Sequence, residues 1–281
     1  MLGIRYQYFA NLKPKAYSKQ PTVLQTMHYI KTLIASFPDF QNPRPTDIPY
    51  LDIAEFFYDT IQGEGINIGQ PAAFLRVQHC TQNCWWCDTK AVWRTGNPYT
   101  FEELFEIIDK SDLVAKLHSG QHLILTGGSP LKQQEGLTKF LLAFRERYGF
   151  KPTVEVENEC TLMPTEAFTA LVDVWNNSPK LSHSGNPDKL RYQPKILQHL
   201  STLPNCWFKF VIARPEDWNE IDKFFLQPGL IQRSQIILMP LGASRDELHQ
   251  NREMVVEMSI RQNVRYCSRE HIELWNKKTG V

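Results

Sequence analysis

Ala72-Ala73-Phe74-Leu75-Arg76-Val77 runs through Gln78-His79 into Cys80-Thr81-Gln82-Asn83-Cys84-Trp85-Trp86-Cys87. The first six residues read as a strand, and the last eight form a Cys-x3-Cys-x2-Cys array on the loop after it. Three thiolates this close can wrap one metal centre. Structural zinc sites take four protein ligands, usually as two spaced pairs. No fourth ligand stands nearby, since His79 is badly placed to close a tetrahedron with Cys80. A four-iron, four-sulfur cluster normally takes four thiolates, so three would leave one iron open to another ligand. A zinc knuckle borrowing a distant His or Cys is the competing reading. Cys160, Cys206 and Cys267 are scattered and read as small buried hydrophobes. This distribution points to a reducing compartment rather than a disulfide framework.

Working outward, strand and helix patterns alternate from residue 53 onward. Strands are expected over 53–58, 72–77, 123–126, 153–157, 207–212 and 236–239, with 271–275 as a closing strand. Thr100-Phe101-Glu102-Glu103 is a capping box, followed by Leu104, Phe105 and Ile108 at helical spacing. Leu137, Phe140, Leu141 and Phe144 mark a helix that Gly149 stops. A helix over 215–225 has Pro in its first turn, and Ser244-Arg245-Asp246-Glu247 caps another reaching to about 261. This alternation predicts an α/β fold, either a parallel sheet or a barrel of βα units, with chemistry on loops at the strands' carboxyl ends. Residues 1–50 hold six of the 18 prolines and one expected helix over 23–37. They read as an N-terminal extension packing on a domain over 51–281.

The chain has 281 residues, 42% of them hydrophobic, enough for a large core. Lys+Arg at 31 against Asp+Glu at 30 leaves no electrostatic footprint of a nucleic-acid binder. No apolar run reaches membrane-helix length, and the start has no signal-peptide pattern, so a cytoplasmic protein is expected. Several residues carry two readings. Arg76 is a carboxylate clamp or a salt-bridge partner. Gly63-Glu64-Gly65 is a ligand-approach turn or an ordinary hairpin, and Asp88-Thr89 could cap a helix. Glu155, Glu157 and Glu159 are site acids or the exposed face of a strand. His271 is a core histidine or a substrate contact.

Ile61-Gln62-Gly63-Glu64-Gly65, Gly69-Gln70-Pro71, Arg76, the cysteine array and then Asp88-Thr89 occur in one order. Together they resemble the 7-carboxy-7-deazaguanine synthase family of radical S-adenosylmethionine enzymes, over about four-fifths of the chain. The resemblance implies an incomplete (β/α) barrel of the radical SAM type. It implies a lyase converting 6-carboxy-5,6,7,8-tetrahydropterin to 7-carboxy-7-deazaguanine with loss of ammonia. The cofactors implied are a [4Fe-4S] cluster, S-adenosyl-L-methionine and Mg2+. The open iron would chelate S-adenosylmethionine, whose cleavage by one electron yields a 5′-deoxyadenosyl radical. No catalytic side chain is implied beyond these.

By the same resemblance, Cys80, Cys84 and Cys87 hold the cluster and Thr89 the Mg2+. Trp86, Asp88, Gly127, Gly128, Ser129, Glu157, Ser178, Pro179, Lys180, Met239 and Pro240 meet S-adenosylmethionine. Ile61, Gln62, Gly63, Glu64, Arg76, Thr126, His271 and Val281 meet the substrate. Ser129 departs from the family pattern, which has Glu there, and Glu159 is a candidate to compensate. The implied partners are an electron donor such as flavodoxin or ferredoxin and a second copy in a homodimer, with no nucleic acid and no membrane. The alternative activity is another radical SAM enzyme, such as a glycyl-radical activase.

Overall fold

A computed structural model describes residues 48–278 and Gly280. The expected helix over 23–37, most of the N-terminal extension, and Val281 lie outside the described residues. β1 (Tyr50–Ile61) pairs antiparallel with β2 (Pro71–Val77) and with β3 (Asn97–Thr100). From β2 the sheet continues in parallel through β4 (His122–Gly127), β5 (Thr153–Asn158), β6 (Val174–Asn177), β7 (Cys206–Ile212), β8 (Ile236–Pro240) and β9 (Arg265–Tyr266). β3 and β9 are the two edges, so the sheet curls without closing. This is the incomplete barrel expected from the alternation and the resemblance.

The helices include α1 (Phe101–Asp109), α2 (Gln134–Tyr148), α3 (Pro194–Ser201), α4 (Arg245–Gln262) and α5 (Glu270–Trp275). The α1 capping box closes both ways between Thr100 and Glu103. At α4 only half of it forms: Ser244 accepts from the Glu247 amide, while the Glu247 carboxylate takes the Ala243 amide.

The period of two along each strand divides its side chains between two faces. On β7, Phe208, Phe210 and Ile212 join the main core with Leu137, Phe140 and Phe144 of α2 and Leu197 and Leu200 of α3. The alternate residue Val211 joins a second apolar cluster with Ile237, Met239 and Cys267, and Lys209 lies two residues before it on that face. β5 divides likewise: Val154 and Val156 enter the main core, while Glu155 and Glu157 turn to the face that carries Lys209. One side of the sheet is therefore oil under helices. The other sets these charged groups beside the smaller apolar cluster.

Some expected elements change. Residues 271–275 form helix α5 rather than a closing strand. Of their apolar residues only Ile272 is buried, and β9 already ends the sheet. The helix over 215–225 begins at Asp217, after Pro215, and continues from Ile221 into a wider π-helical segment over Asp222–Leu226. β3, β6 and β9 were not expected. β6 ends in two fully buried asparagines, Asn176 and Asn177, a polar composition that disguises a central strand. Asn177 is satisfied by Asn158 at 2.8 Å and Cys206 at 3.0 Å.

Gly127 and Gly128 close β4 against the cysteine loop. A Cβ at Gly127 would strike the Val77 carbonyl, and one at Gly128 would strike the His79 carbonyl and the Cys80 Cβ. The Ser129 amide donates to the His79 carbonyl at 2.8 Å, which fixes this approach. Gly128→Ala should push the loop off β4. We expect a loss of about 1–3 kcal/mol in denaturant unfolding, with reduced iron content after reconstitution.

Candidate active site

A cavity of about 590 Å3 lies within the barrel and opens at the carboxyl ends of the parallel strands. Its wall includes Cys80, Cys84, Cys87, Thr89, Trp86, Asp88, Thr126, Gly127, Gly128, Glu157, Ser178, Lys180, Met239 and Pro240. Ile61, Gln62, Gly63, Glu64, Arg76 and His271 line it too. Two expected residues do not reach the wall. Ser129 is wholly buried behind the cysteine loop, and Pro179 is buried between Ser178 and Lys180 without lining the cavity.

All three loop cysteines are free thiols. Cys80 Sγ accepts from the Gln82 amide at 3.4 Å, and Cys84 Sγ accepts from Asn186 Nδ2 at 3.1 Å. Cys87 Sγ lies 3.7 Å from the Thr89 hydroxyl. Burial pushes the Cys80 thiol up, against donors from Gln82 and Ser129. Among the described residues no three His, Cys, Asp or Glu side chains converge on an ion-sized point. The thiols instead border a shared space. Three buried polar atoms on that wall have no partner among the described residues: Gln82 Nε2, Trp86 Nε1 and Glu159 Oε2. Soft thiolate donors with unfilled polar atoms beside them suit an iron–sulfur cluster carrying a polar ligand. Thr89 takes the N-cap position of the short helix Lys90–Trp93, but its hydroxyl makes no capping bond.

The inner part of the cavity is held by paired charges. Lys209, 3% exposed as a side chain, donates to Glu64 Oε2 at 2.5 Å and Glu157 Oε2 at 2.9 Å. Arg269 donates from Nε to Glu64 Oε1 and from Nη2 to Asp88 Oδ2, both at 2.7 Å. Burial alone would raise the Glu64 carboxyl, yet Lys209 and Arg269 hold it well below its usual range. Glu157 is raised by burial and by its acidic neighbours Glu64 and Glu155, which outweigh Lys209.

Gln62 Nε2 donates to Glu155 at 2.6 Å and Glu157 at 3.0 Å, while its Oε1 takes the Glu64 amide at 3.3 Å. Its side-chain amide is thus committed to the wall. Arg76 Nε donates to Glu55 Oε2 at 3.0 Å, so the salt-bridge reading holds, and the residue also lines the cavity wall. His271 packs against Gly63, where a Cβ would overlap its ring, and the Glu270 amide donates to the Gly63 carbonyl at 2.8 Å. Burial, reinforced by Arg269, lowers His271 to about 4, so it is neutral at pH 7.

An open βα sheet whose first rim loop carries Cys-x3-Cys-x2-Cys defines a radical S-adenosylmethionine enzyme with a [4Fe-4S] cluster. Residues 61–176 match the model of a 4Fe-4S single cluster domain. The chain is 33% identical over 233 residues to the 7-carboxy-7-deazaguanine synthase of Pyrobaculum aerophilum, covering 83% of this chain and 98% of that one. It is 28% identical over 266 residues to the enzyme of that name from Halobacterium salinarum, covering 86% and 97%. The crystal structure of QueE from Escherichia coli superposes with a TM-score of 0.55 at 23% identity, over 79% of this chain and 95% of that one. The chain belongs to the 7-carboxy-7-deazaguanine synthase family.

Sequence reasoning missed Lys209 and Arg269. Lys209 had a signal: a lone charge inside Trp207-Phe208-Lys209-Phe210 is unlike a buried strand unless it is paired. Arg269 had none, because its partners lie far away in sequence. Lys209→Met should leave Glu157 without a cation and Glu64 with Arg269 alone, and cost about 3–5 kcal/mol in denaturant unfolding. The His271 shift adds a pH dependence. Its neutral form is favoured by folding, so its contribution is complete above pH 6.5 and is lost as pH falls toward 4. That loss is on the order of 3 kcal/mol. His271→Asn should flatten melting temperature against pH between 7 and 4, leaving the fall below pH 4.5 that Glu64 causes.

Proposed function

We propose that this chain converts 6-carboxy-5,6,7,8-tetrahydropterin to 7-carboxy-7-deazaguanine with release of ammonia. One observation carries the reading: a single cavity joins three free thiols to Arg76, Glu157 and neutral His271, in a member of the synthase family. Cys80, Cys84 and Cys87 would hold the cluster. Trp86, Asp88, Gly127, Gly128, Ser178, Lys180, Met239 and Pro240 would border S-adenosylmethionine. Bound together, the cluster and S-adenosylmethionine supply a one-electron cleavage that starts hydrogen abstraction.

The chain's own residues position the substrate and keep the site dry. The Arg76 ion pair uses Nε, which leaves the two Nη groups of its fork to take a substrate carboxylate. Thr89, whose hydroxyl does not cap its helix, offers a hard oxygen suited to Mg2+ shared with substrate oxygens. Glu157, held by Lys209 and Gln62, would border S-adenosylmethionine with the residues named above. Val211, Met239 and Leu241 form an apolar part of the wall that excludes water around radical chemistry. No helix of the described residues is long and apolar enough to cross a membrane. With all six cysteines free, the reading places the enzyme in a reducing cytoplasm, working as a homodimer with flavodoxin or ferredoxin as donor.

The test is anaerobic reconstitution with iron and sulfide, then reductant, S-adenosylmethionine, Mg2+ and the carboxypterin. Mass spectrometry should find 7-carboxy-7-deazaguanine. 5′-Deoxyadenosine without that product would discard the pterin and keep the radical enzyme. Arg76→Lys should raise KM for the pterin at least tenfold with little change in S-adenosylmethionine affinity, since Lys lacks the planar fork. Equal loss for both ligands would remove Arg76 from the substrate site.

A further inference from the structure

Asn158 and Asn177, the last residues of β5 and β6, are in register, and the Ser178 amide donates to the Asn158 carbonyl at 2.6 Å. Glu159 and Ser178 therefore leave the two strands side by side at the cavity rim. Lys180 follows, its Nζ donating to Ser178 Oγ at 2.7 Å and lying 5.7 Å from the centre of the Trp86 ring. Glu159 and Lys180 both line the cavity. Neither has an ion pair among the described residues.

Glu159 is only 5% exposed. Its Oε1 accepts from the Thr81 hydroxyl at 3.0 Å and the Thr161 hydroxyl at 2.6 Å. Its Oε2 is buried without a donor. A buried carboxylate left half-satisfied is costly, and its two oxygens can accept about four hydrogen bonds. Acceptor capacity remains, and its natural complement is a cation.

The same cluster reaches the cysteine loop. Ser129 Oγ accepts from the Thr81 amide at 2.9 Å, pairs with the Thr81 hydroxyl at 3.0 Å and lies 3.6 Å from Cys80 Sγ. Ser129 is thereby occupied in holding the loop. The carboxylate one hydrogen-bonded step beyond it belongs to Glu159. A negative and a positive side chain thus flank the Cys80 end of the cavity, and both act on the Cys80 thiol, in opposite directions.

We propose that Glu159 receives the ammonium, and Lys180 faces the carboxylate, of an α-amino-acid group bound beside Cys80. On the functional reading above, on which this rests, that group is the methionyl end of S-adenosylmethionine. A carboxylate from the end of β5 thereby does the work that Ser129, from the end of β4, has no charge to do.

The test is calorimetric titration of the iron-loaded protein with two probes. S-Adenosylhomocysteine carries the amino-acid group, and 5′-methylthioadenosine lacks it. Glu159→Gln should weaken S-adenosylhomocysteine about tenfold to a hundredfold, the worth of a charged hydrogen bond, and leave methylthioadenosine unchanged. Unchanged S-adenosylhomocysteine affinity in Glu159→Gln, or equal weakening of both probes, would overturn the assignment while the cofactor reading stands. No binding of S-adenosylhomocysteine to the wild-type protein would overturn both. If Glu159→Gln fails to retain iron, Glu159→Asp, with its shorter reach, answers the same question by the same ratio of affinities.

Discussion

Charges inside a barrel must be paired, and the rest of this structure is arranged around that requirement. Lys209 stands among apolar strand neighbours with almost no water, between Glu64 and Glu157. Removing either carboxylate would leave a buried ammonium short of a partner. Glu64 comes from the turn after β1, Glu157 from β5, and Arg269 from the start of α5. With Lys209 on β7, one Lys and one Arg thus tie four distant segments. Asp88, the residue after the last loop cysteine, is tied to them through Arg269. The inner wall and the cysteine loop are parts of one electrostatic unit.

The neighbouring polar group follows the same rule. Glu155 is fully buried and accepts from Gln62, Asn67 and Asn176, with His122 at 3.3 Å. Those donors come from the end of β1, the loop after it, β6 and β4. Together they fold the turn after β1 into the barrel, where Gln62 becomes wall and Glu64 becomes a charge partner. Two glycines make the tight approaches possible at opposite ends of the cavity, Gly63 against His271 and Gly128 against the cysteine loop.

Local features were legible in the sequence where local physics decides them. The alternation of strand and helix patterns, the Thr100 capping box and the Cys80–Cys87 array each depend on near neighbours. Of the described residues that the resemblance assigned to the site, all but Ser129 and Pro179 line one cavity. What stayed hidden depends on distant partners. Nothing around Arg269 announces Glu64. Nothing in Val174-Trp175-Asn176-Asn177 announces a central strand, because its asparagines are satisfied across the sheet. The alternation in residues 271–275 suggested a strand, but the sheet already ends at β9. Arg76 forms the salt bridge that its sequence position allowed, and forms it on the cavity wall.

The Glu64–Arg269 pair spans 205 residues of chain. On a ribosome, Glu64 and Lys209 emerge long before the residue that completes their pairing. Until Arg269 arrives, Asp88 has no cation from this network, and the segment beside Cys87 is anchored at one end only. The Cys87 end of the loop therefore gains its charge anchor only when α5 docks on the Gly63 carbonyl.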